Sequence, residues 1–253
     1  MVAKQHIQAF VLHTAPFAER DVIATLLTPG AGRITAIAKN AQNSKRFPGG
    51  LERFRKIRAV LSSKPNRDMH LLLEMHVTQP FHHIETSYEK ITVGTYATEL
   101  VRELARDGAD SARLFDLLDR FYSALDEGGD DVMSLEVLLH NFELHVLELV
   151  GLHPSLYRCF RCDRHHAEFE RVQCARTGEG LLCPECKRPG EAVGVLDEAT
   201  LAALHFYQMP TMTVPDDLDQ PAVRQQARRV IRASLGNALV NELKSQQLLD
   251  TVW

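Results

Sequence analysis

Two Cys-x-x-Cys pairs, Cys159/Cys162 and Cys183/Cys186, stand twenty residues apart and constrain the fold more than any other feature of this chain. A thiolate pair at i and i+3 fits the turn of a hairpin knuckle, and two knuckles offer the four tetrahedral ligands that zinc prefers. Pro184, inside the second pair, favours the knuckle turn. The surrounding stretch, residues 153–190, is highly charged and short of large apolar side chains, so burial alone does not fold it. A metal staple makes up the deficit. The spacing therefore predicts a structural Zn2+ site of Cys159, Cys162, Cys183 and Cys186, closed by protein ligands and without catalytic chemistry. A redox dithiol needs one pair on a thioredoxin-like βαβ unit, which the pattern lacks. Cys174 reads as a small core residue, and His165 and His166, between the knuckles, as solvent-exposed.

Cysteines paired for metal rather than for disulfides point to a reducing compartment. The first apolar run is short and meets Pro16 and charges, so no secretory signal is expected. No segment approaches the ~18 apolar residues needed to cross a bilayer. The expectation is a cytoplasmic protein with no membrane partner. Its net charge of −4 conceals an asymmetry. Residues 1–70 hold 12 Lys+Arg against 4 Asp+Glu, whereas residues 71–253 hold 17 against 29. A basic first segment is the footprint of contact with a polyanion.

Within that segment the period is that of strands. His6–His13, Asp21–Leu27, Arg33–Ala38, Ile57–Leu61 and His70–Val77 are short β-type runs separated by turn signals such as Pro29-Gly30-Ala31-Gly32. Five such runs predict a small closed barrel, of which the OB-fold is one example and an SH3-like barrel another. From Ser87 the period becomes helical. Ser87 N-caps a helix with Ile91, Tyr96, Leu100, Val101 and Leu104 inward, and Ser111 caps a second with Leu114, Leu117, Leu118 and Phe121. A third runs from about Val132 to Val150 and stops at Gly151. After the cysteines, Asp197 caps a helix carrying Leu201, Leu204 and Phe206, and another follows Pro221. These stripes read as core.

A barrel that binds single strands needs cations along a groove and aromatic faces for bases. Lys39, Lys45 and Arg46 lie on one polar loop, with Arg33, Arg53, Arg55, Lys56 and Arg58 flanking it and Phe47 and Phe54 available for stacking, although Phe54 also suits a core. Arg224, Arg228 and Arg232 form an i, i+4, i+8 stripe, read as a solvated helix face in preference to a second phosphate surface. The chain holds no Gly-x4-Gly-Lys-[Ser/Thr], His-Glu-x-x-His or Gly-x-Ser-x-Gly. The histidines are scattered, with His82, His83, His140 and His145 reading as surface or satisfied core groups, so a non-enzymatic protein is expected.

The order of parts resembles the RecO family of bacterial recombination mediators. The resemblance rests on Glu19-Arg20-Asp21-Val22-Ile23, Leu26-Leu27-Thr28-Pro29, Gly32-Arg33-Ile34, Ala38-Lys39-Asn40-Ala41, Tyr157-Arg158-Cys159-Phe160-Arg161-Cys162, and Leu235 and Leu239 before Leu243-Lys244-Ser245-Gln246 and Leu248-Leu249. Gln246 departs from the family's frequent Lys-Ser-Arg and takes a cation from that helix end. The fold so implied is α+β and multidomain: an OB-fold barrel over 1–80, a helical domain over 81–152 and 191–253, and an inserted four-cysteine zinc module over 153–190. The resemblance further implies binding of ssDNA and dsDNA, annealing of complementary strands, and work with RecR to load RecA on DNA coated by single-stranded-DNA-binding protein, at the nucleoid. Arg33, Lys39, Lys45, Arg46 and Arg53 are the expected DNA contacts, with Arg55 and Lys56 behind them. A zinc-ribbon transcription or RNA-associated factor is the alternative, and a purely structural adaptor a third.

Overall fold

The computed structural model describes residues 3–41, 44–63, 69–105, 110–209 and 220–253. All five expected strands form: β1 (Ala3–Phe17), β2 (Asp21–Thr28), β3 (Gly32–Ala38), β4 (Arg55–Ser63) and β5 (His70–Pro80). They pair in the order β1-β2-β3-β5-β4, and β4 returns to β1 to close the barrel. Strand β1 is long enough to serve two neighbours, and Phe10 stands opposite Leu27 of β2 and Lys56 of β4. The β3–β5 seam is parallel and only three residue pairs long, from Ala36/His70 to Ala38/Leu72, so closure there is narrow. A small five-stranded barrel with one narrow seam suits the OB-fold.

Period-2 alternation fills the interior with Ala9, Val11, Leu26, Ala36, Ile57, Ala59, Leu61 and Met75. Phe10 points the other way and is nevertheless buried. It packs on Phe115 at 4.7 Å and Tyr122 at 5.5 Å between ring centroids. Those rings come from the helices that cover this face, α1 (Tyr88–Leu104) and α2 (Ser111–Glu127). Ser87 caps α1 as expected, accepting from the Lys90 N–H. Ser111 does not cap α2: Asp110 takes the N-cap position, and the Ser111 hydroxyl donates to the Pro29 carbonyl at 2.9 Å. Gly94 of α1 faces the Phe54 ring, where a Cβ would stand 2.9 Å from it. Phe54 itself takes a left-handed φ of 57°, strain that its buried position over α1 offsets.

The chain divides into two compact units, Met1–Gly128 with Leu248–Val252, and Gly129–Gln247 with Trp253. The first therefore comprises the barrel, α1 and α2. The second begins with α3 (Val132–Leu149), N-capped by Asp131, which accepts from the Ser134 N–H at 2.8 Å. A four-stranded sheet follows, ordered β6-β8-β7-β9, from β6 (Ser155–Cys159), β7 (Gln173–Ala175), β8 (Gly180–Leu182) and β9 (Ala192–Val195). Helices α4 (Glu198–Tyr207) and α5 (Pro221–Ala238) pack together and against α3, before a short α6 (Gln246–Leu249). Asp197 caps α4 as expected, but Tyr207 rather than Phe206 completes its buried stripe. No described helix is long and apolar enough to cross a membrane.

Candidate metal centre and nucleic-acid interface

Each Cys-x-x-Cys pair closes a tight turn. The Asp163 N–H returns to the Cys159 carbonyl at 2.9 Å, and the Cys186 N–H to the Cys183 carbonyl at 3.2 Å. The parallel β6–β8 pairing brings the knuckles together, so the sulfurs of Cys159, Cys162, Cys183 and Cys186 all lie within 4.8 Å of one another. Cys162 Sγ and Cys183 Sγ are 3.8 Å apart, with no disulfide. A tetrahedron of metal–sulfur bonds of ~2.3 Å has edges of ~3.8 Å. The four thiols therefore fit one soft or borderline metal ion. His165 and His166 lie outside this donor set.

The thiols differ in acidity. Burial pushes Cys159 up, but backbone N–H groups of Cys183, Arg161 and Cys162 outweigh it and bring it down to about 6. Burial, then the Glu185 side chain, pushes Cys183 up to about 12. Metal binding at this set must therefore displace protons. A brace missed in the sequence holds the knuckles in register. Arg161 donates to the Cys186 carbonyl at 2.6 Å and to both carboxylate oxygens of Glu191 at 2.8 Å. Those bonds and the Arg188 N–H hold the Glu191 carboxyl down at about 2. Cys174 is the core residue expected, its thiol pushed up by burial to about 12.

The expected DNA-contact residues fall into three places. Lys39, Lys45 and Arg46 share one rim of the barrel, all exposed. Arg46 donates to the Lys39 carbonyl at 2.8 Å, folding the loop back on the end of β3. Among the described residues no carboxylate pairs with Lys39 or Lys45. Arg33 lies at the opposite end of β3, roughly 20 Å away along the strand, and donates to the Arg102 carbonyl. Arg53 is exposed beside α1, within 3.3 Å of the Thr95 hydroxyl.

Arg55 and Lys56 do not join them. Arg55 is only 7% exposed and is hydrogen-bonded to Glu85 at 2.8 Å, Glu52 at 3.3 Å and the Phe54 carbonyl. Lys56 reaches Asp119 at 2.6 Å beneath the rings of Phe10 and Phe115. Both cations bind parts of the first unit to one another. Phe47 and Phe54, considered for base stacking, are both buried. The aromatic at the basic rim is instead Phe17, 46% exposed at the β1–β2 turn. Asp21, opposite Phe17, accepts from the Asn40 N–H at 2.8 Å, which ties that turn, with its exposed Arg20, to the basic loop.

The arginine stripe of α5 is no solvated face. Arg224 contacts Glu136 of α3 at 3.2 Å, and Arg228 binds the same carboxylate through Nε at 2.9 Å. His140 lies between Glu136, at 3.4 Å, and Glu143, at 2.9 Å. The expected core stripe of α3 thus contains a buried charged cluster that joins α3 to α5. His82 and His83, by contrast, are exposed as expected.

The family model described as Recombination protein O N terminal matches residues 1–90. The one described as Recombination protein O C terminal matches residues 85–247, so the two together run through the barrel, the helices and the cysteine knuckles. The chain belongs to the RecO family. A protein of Anaeromyxobacter sp. (strain Fw109-5) named DNA repair protein RecO is 31% identical over 255 residues, covering 100% of this chain and 98% of the relative. Another RecO relative, from Anaeromyxobacter sp. (strain K), is 33% identical over 96% of this chain and 94% of its own. The RecO protein of Roseiflexus sp. (strain RS-1) is 28% identical over 97% of this chain and 84% of its own. RecO-family likeness thus spans both compact units rather than the barrel alone.

Proposed function

We propose that this chain is a non-enzymatic mediator of recombinational DNA repair, which binds ssDNA and dsDNA through the barrel and anneals complementary strands. It acts with RecR to load RecA on DNA coated by single-stranded-DNA-binding protein, in the cytoplasm at the nucleoid. The observation that carries this reading is the rim of Lys39, Lys45 and Arg46, exposed cations with no carboxylate partner among the described residues, in the segment 1–70 that holds 12 Lys+Arg against 4 Asp+Glu. Annealing requires no bond chemistry: a cationic surface that lowers repulsion between strands and leaves the bases free is sufficient. Phe17 and Arg20 extend that rim, and Arg33 and Arg53 offer further phosphate contacts along the barrel. The metal is Zn2+, since four thiolates within 4.8 Å of one another suit its tetrahedral preference. With all four positions taken by protein, the ion holds the knuckles and offers no place to a substrate.

The test is an annealing assay with complementary oligonucleotides, with and without RecR and single-stranded-DNA-binding protein, in the absence of ATP. The proposal expects annealing that weakens steeply with salt and is lost when Lys39, Lys45 and Arg46 are changed to Glu. Annealing untouched by that triple change would refute the assignment of the rim. Preference for one duplex or RNA sequence without annealing would point instead to a transcription or RNA-associated factor.

A further inference from the structure

A column of aromatic rings stands on the second unit. Tyr157 of β6 lies flat against His205 of α4, with 4.0 Å between ring centroids and 4° between planes. His166 follows at 5.4 Å from His205, and His165 at 4.5 Å from His166. His205 is anchored by its Nε2, which donates to the Leu156 carbonyl at 2.7 Å. Burial holds the His205 and His166 imidazoles below their ordinary value. Tyr157 itself is 46% exposed.

That ring borders a cavity of about 410 Å3, whose wall also includes His145, Glu148, His153, Arg158 and Gln208. His205 covers one face of the Tyr157 ring, and Tyr157 lines the cavity while His205 does not. The volume lies in the range of small-ligand sites. Arg158 Nη1 donates to the Asp163 carbonyl at 2.9 Å and stands 3.5 Å from the Asp163 carboxylate, and the guanidinium has further N–H donors for an anion. Gln208 and Glu148 supply the donor and acceptor groups that a base edge requires.

We propose that this cavity is a nucleotide subsite, in which an unpaired base of single-stranded nucleic acid stacks on Tyr157 with its phosphate at Arg158 and His153. A ring already fixed from behind loses little freedom when a base lands on it. Such stacking tolerates any base, because every base has a π-face. The proposal takes nucleic acid as its ligand class from the preceding reading but places the contact on the other unit, so the two fail separately.

Full-length protein is irradiated with a single-stranded oligonucleotide containing 5-bromouracil, and the crosslinked peptides are identified. The expected result is a crosslink at the Tyr157 peptide that persists in the Lys39→Glu, Lys45→Glu, Arg46→Glu variant. In that background Tyr157→Ala weakens oligonucleotide binding on the order of tenfold, Tyr157→Phe leaves it unchanged, and Gln208→Ala, remote in sequence from the cysteines, also weakens it. Unaltered zinc content and thermal midpoint show that the variants remain folded. Crosslinks confined to the barrel, or binding insensitive to both Tyr157→Ala and Gln208→Ala, would overturn the subsite while leaving the barrel reading intact. A Tyr157-dependent affinity for an acidic peptide but not for the oligonucleotide would overturn it as well. Crosslinks at Tyr157 with none on the barrel would uphold the subsite and sink the barrel reading.

Discussion

The four cysteines hold their place by donors around them as much as by their spacing. Loss of Cys159 and Cys162 removes two ligands and leaves the knuckles with little buried surface of their own. Ser at both positions is expected to abolish stoichiometric zinc and to lower the thermal midpoint of the second unit. Salt-dependent oligonucleotide binding is expected to persist. Metal analysis, calorimetry and binding on the same preparation check this; a zinc-free variant of full stability would contradict it. His140 is the other residue whose surroundings decide its behaviour. Burial pushes its imidazole down, but Glu136 and Glu143 of α3 more than offset that and hold it above its ordinary value of 6.5. A group raised on folding stabilises fully below the unfolded value and loses its contribution as pH rises through the folded one. Burial raises Glu136, yet His140 and Arg228 bring it below 4.5, so its contribution is present above that pH and lost as acid titrates it. Urea midpoints at saturating zinc should therefore show wild-type stability falling, relative to His140→Gln, as pH rises above about 6.5. Parallel pH profiles for the two proteins would show that His140 does not carry the proton.

At the scale of elements, the join between α3 and α5 rests on one carboxylate facing two guanidiniums. Removing one partner of such a buried cluster costs about 3–5 kcal/mol. Glu136→Gln is accordingly expected to destabilise the second unit by that order in equilibrium unfolding, and a change below about 1 kcal/mol would show that the cluster behaves as a solvent-screened pair. The β7–β8 turn meets α5 just as closely. Gly178 has a φ of +86°, and a Cβ there would stand 2.3 Å from the Ala233 carbonyl oxygen. Gly178→Ala should destabilise by about 1–3 kcal/mol and lower the thermal midpoint even with zinc bound; an unchanged midpoint would contradict this close approach. These elements also show what sequence conveys. Strand runs and most caps were legible because they are local: Ser87 and Asp197 each bond a backbone N–H three residues on. The cysteine pairs were legible because their spacing encodes the knuckle. The arginine stripe was not, since Arg228 finds its partner 92 residues away in Glu136. Phe54 looked available for bases, and only Gly94 and Tyr122, distant in sequence, show that it is packed. Phe17 escaped notice because exposure at a strand end carries no periodic signal.

Over the whole molecule, charge and structure divide the work. The first 70 residues carry the positive excess, yet Arg55 and Lys56 are taken up internally, so formal charge overstates the cations offered to a polyanion. The rim of Lys39, Lys45 and Arg46 remains, with Arg20 beside it and Arg33 and Arg53 at separate exposed positions. Each phosphate neutralised on a single strand contributes about 0.7 to the slope of log affinity against log salt. The most direct measurement of the central claim is that slope for a fluorescent single-stranded oligonucleotide, for wild type and for the variant with Glu at Lys39, Lys45 and Arg46. Loss of three contacts predicts a slope shallower by about 2, with zinc content and thermal midpoint unchanged. A folded triple variant that keeps the wild-type slope would show that the rim does not hold the phosphates.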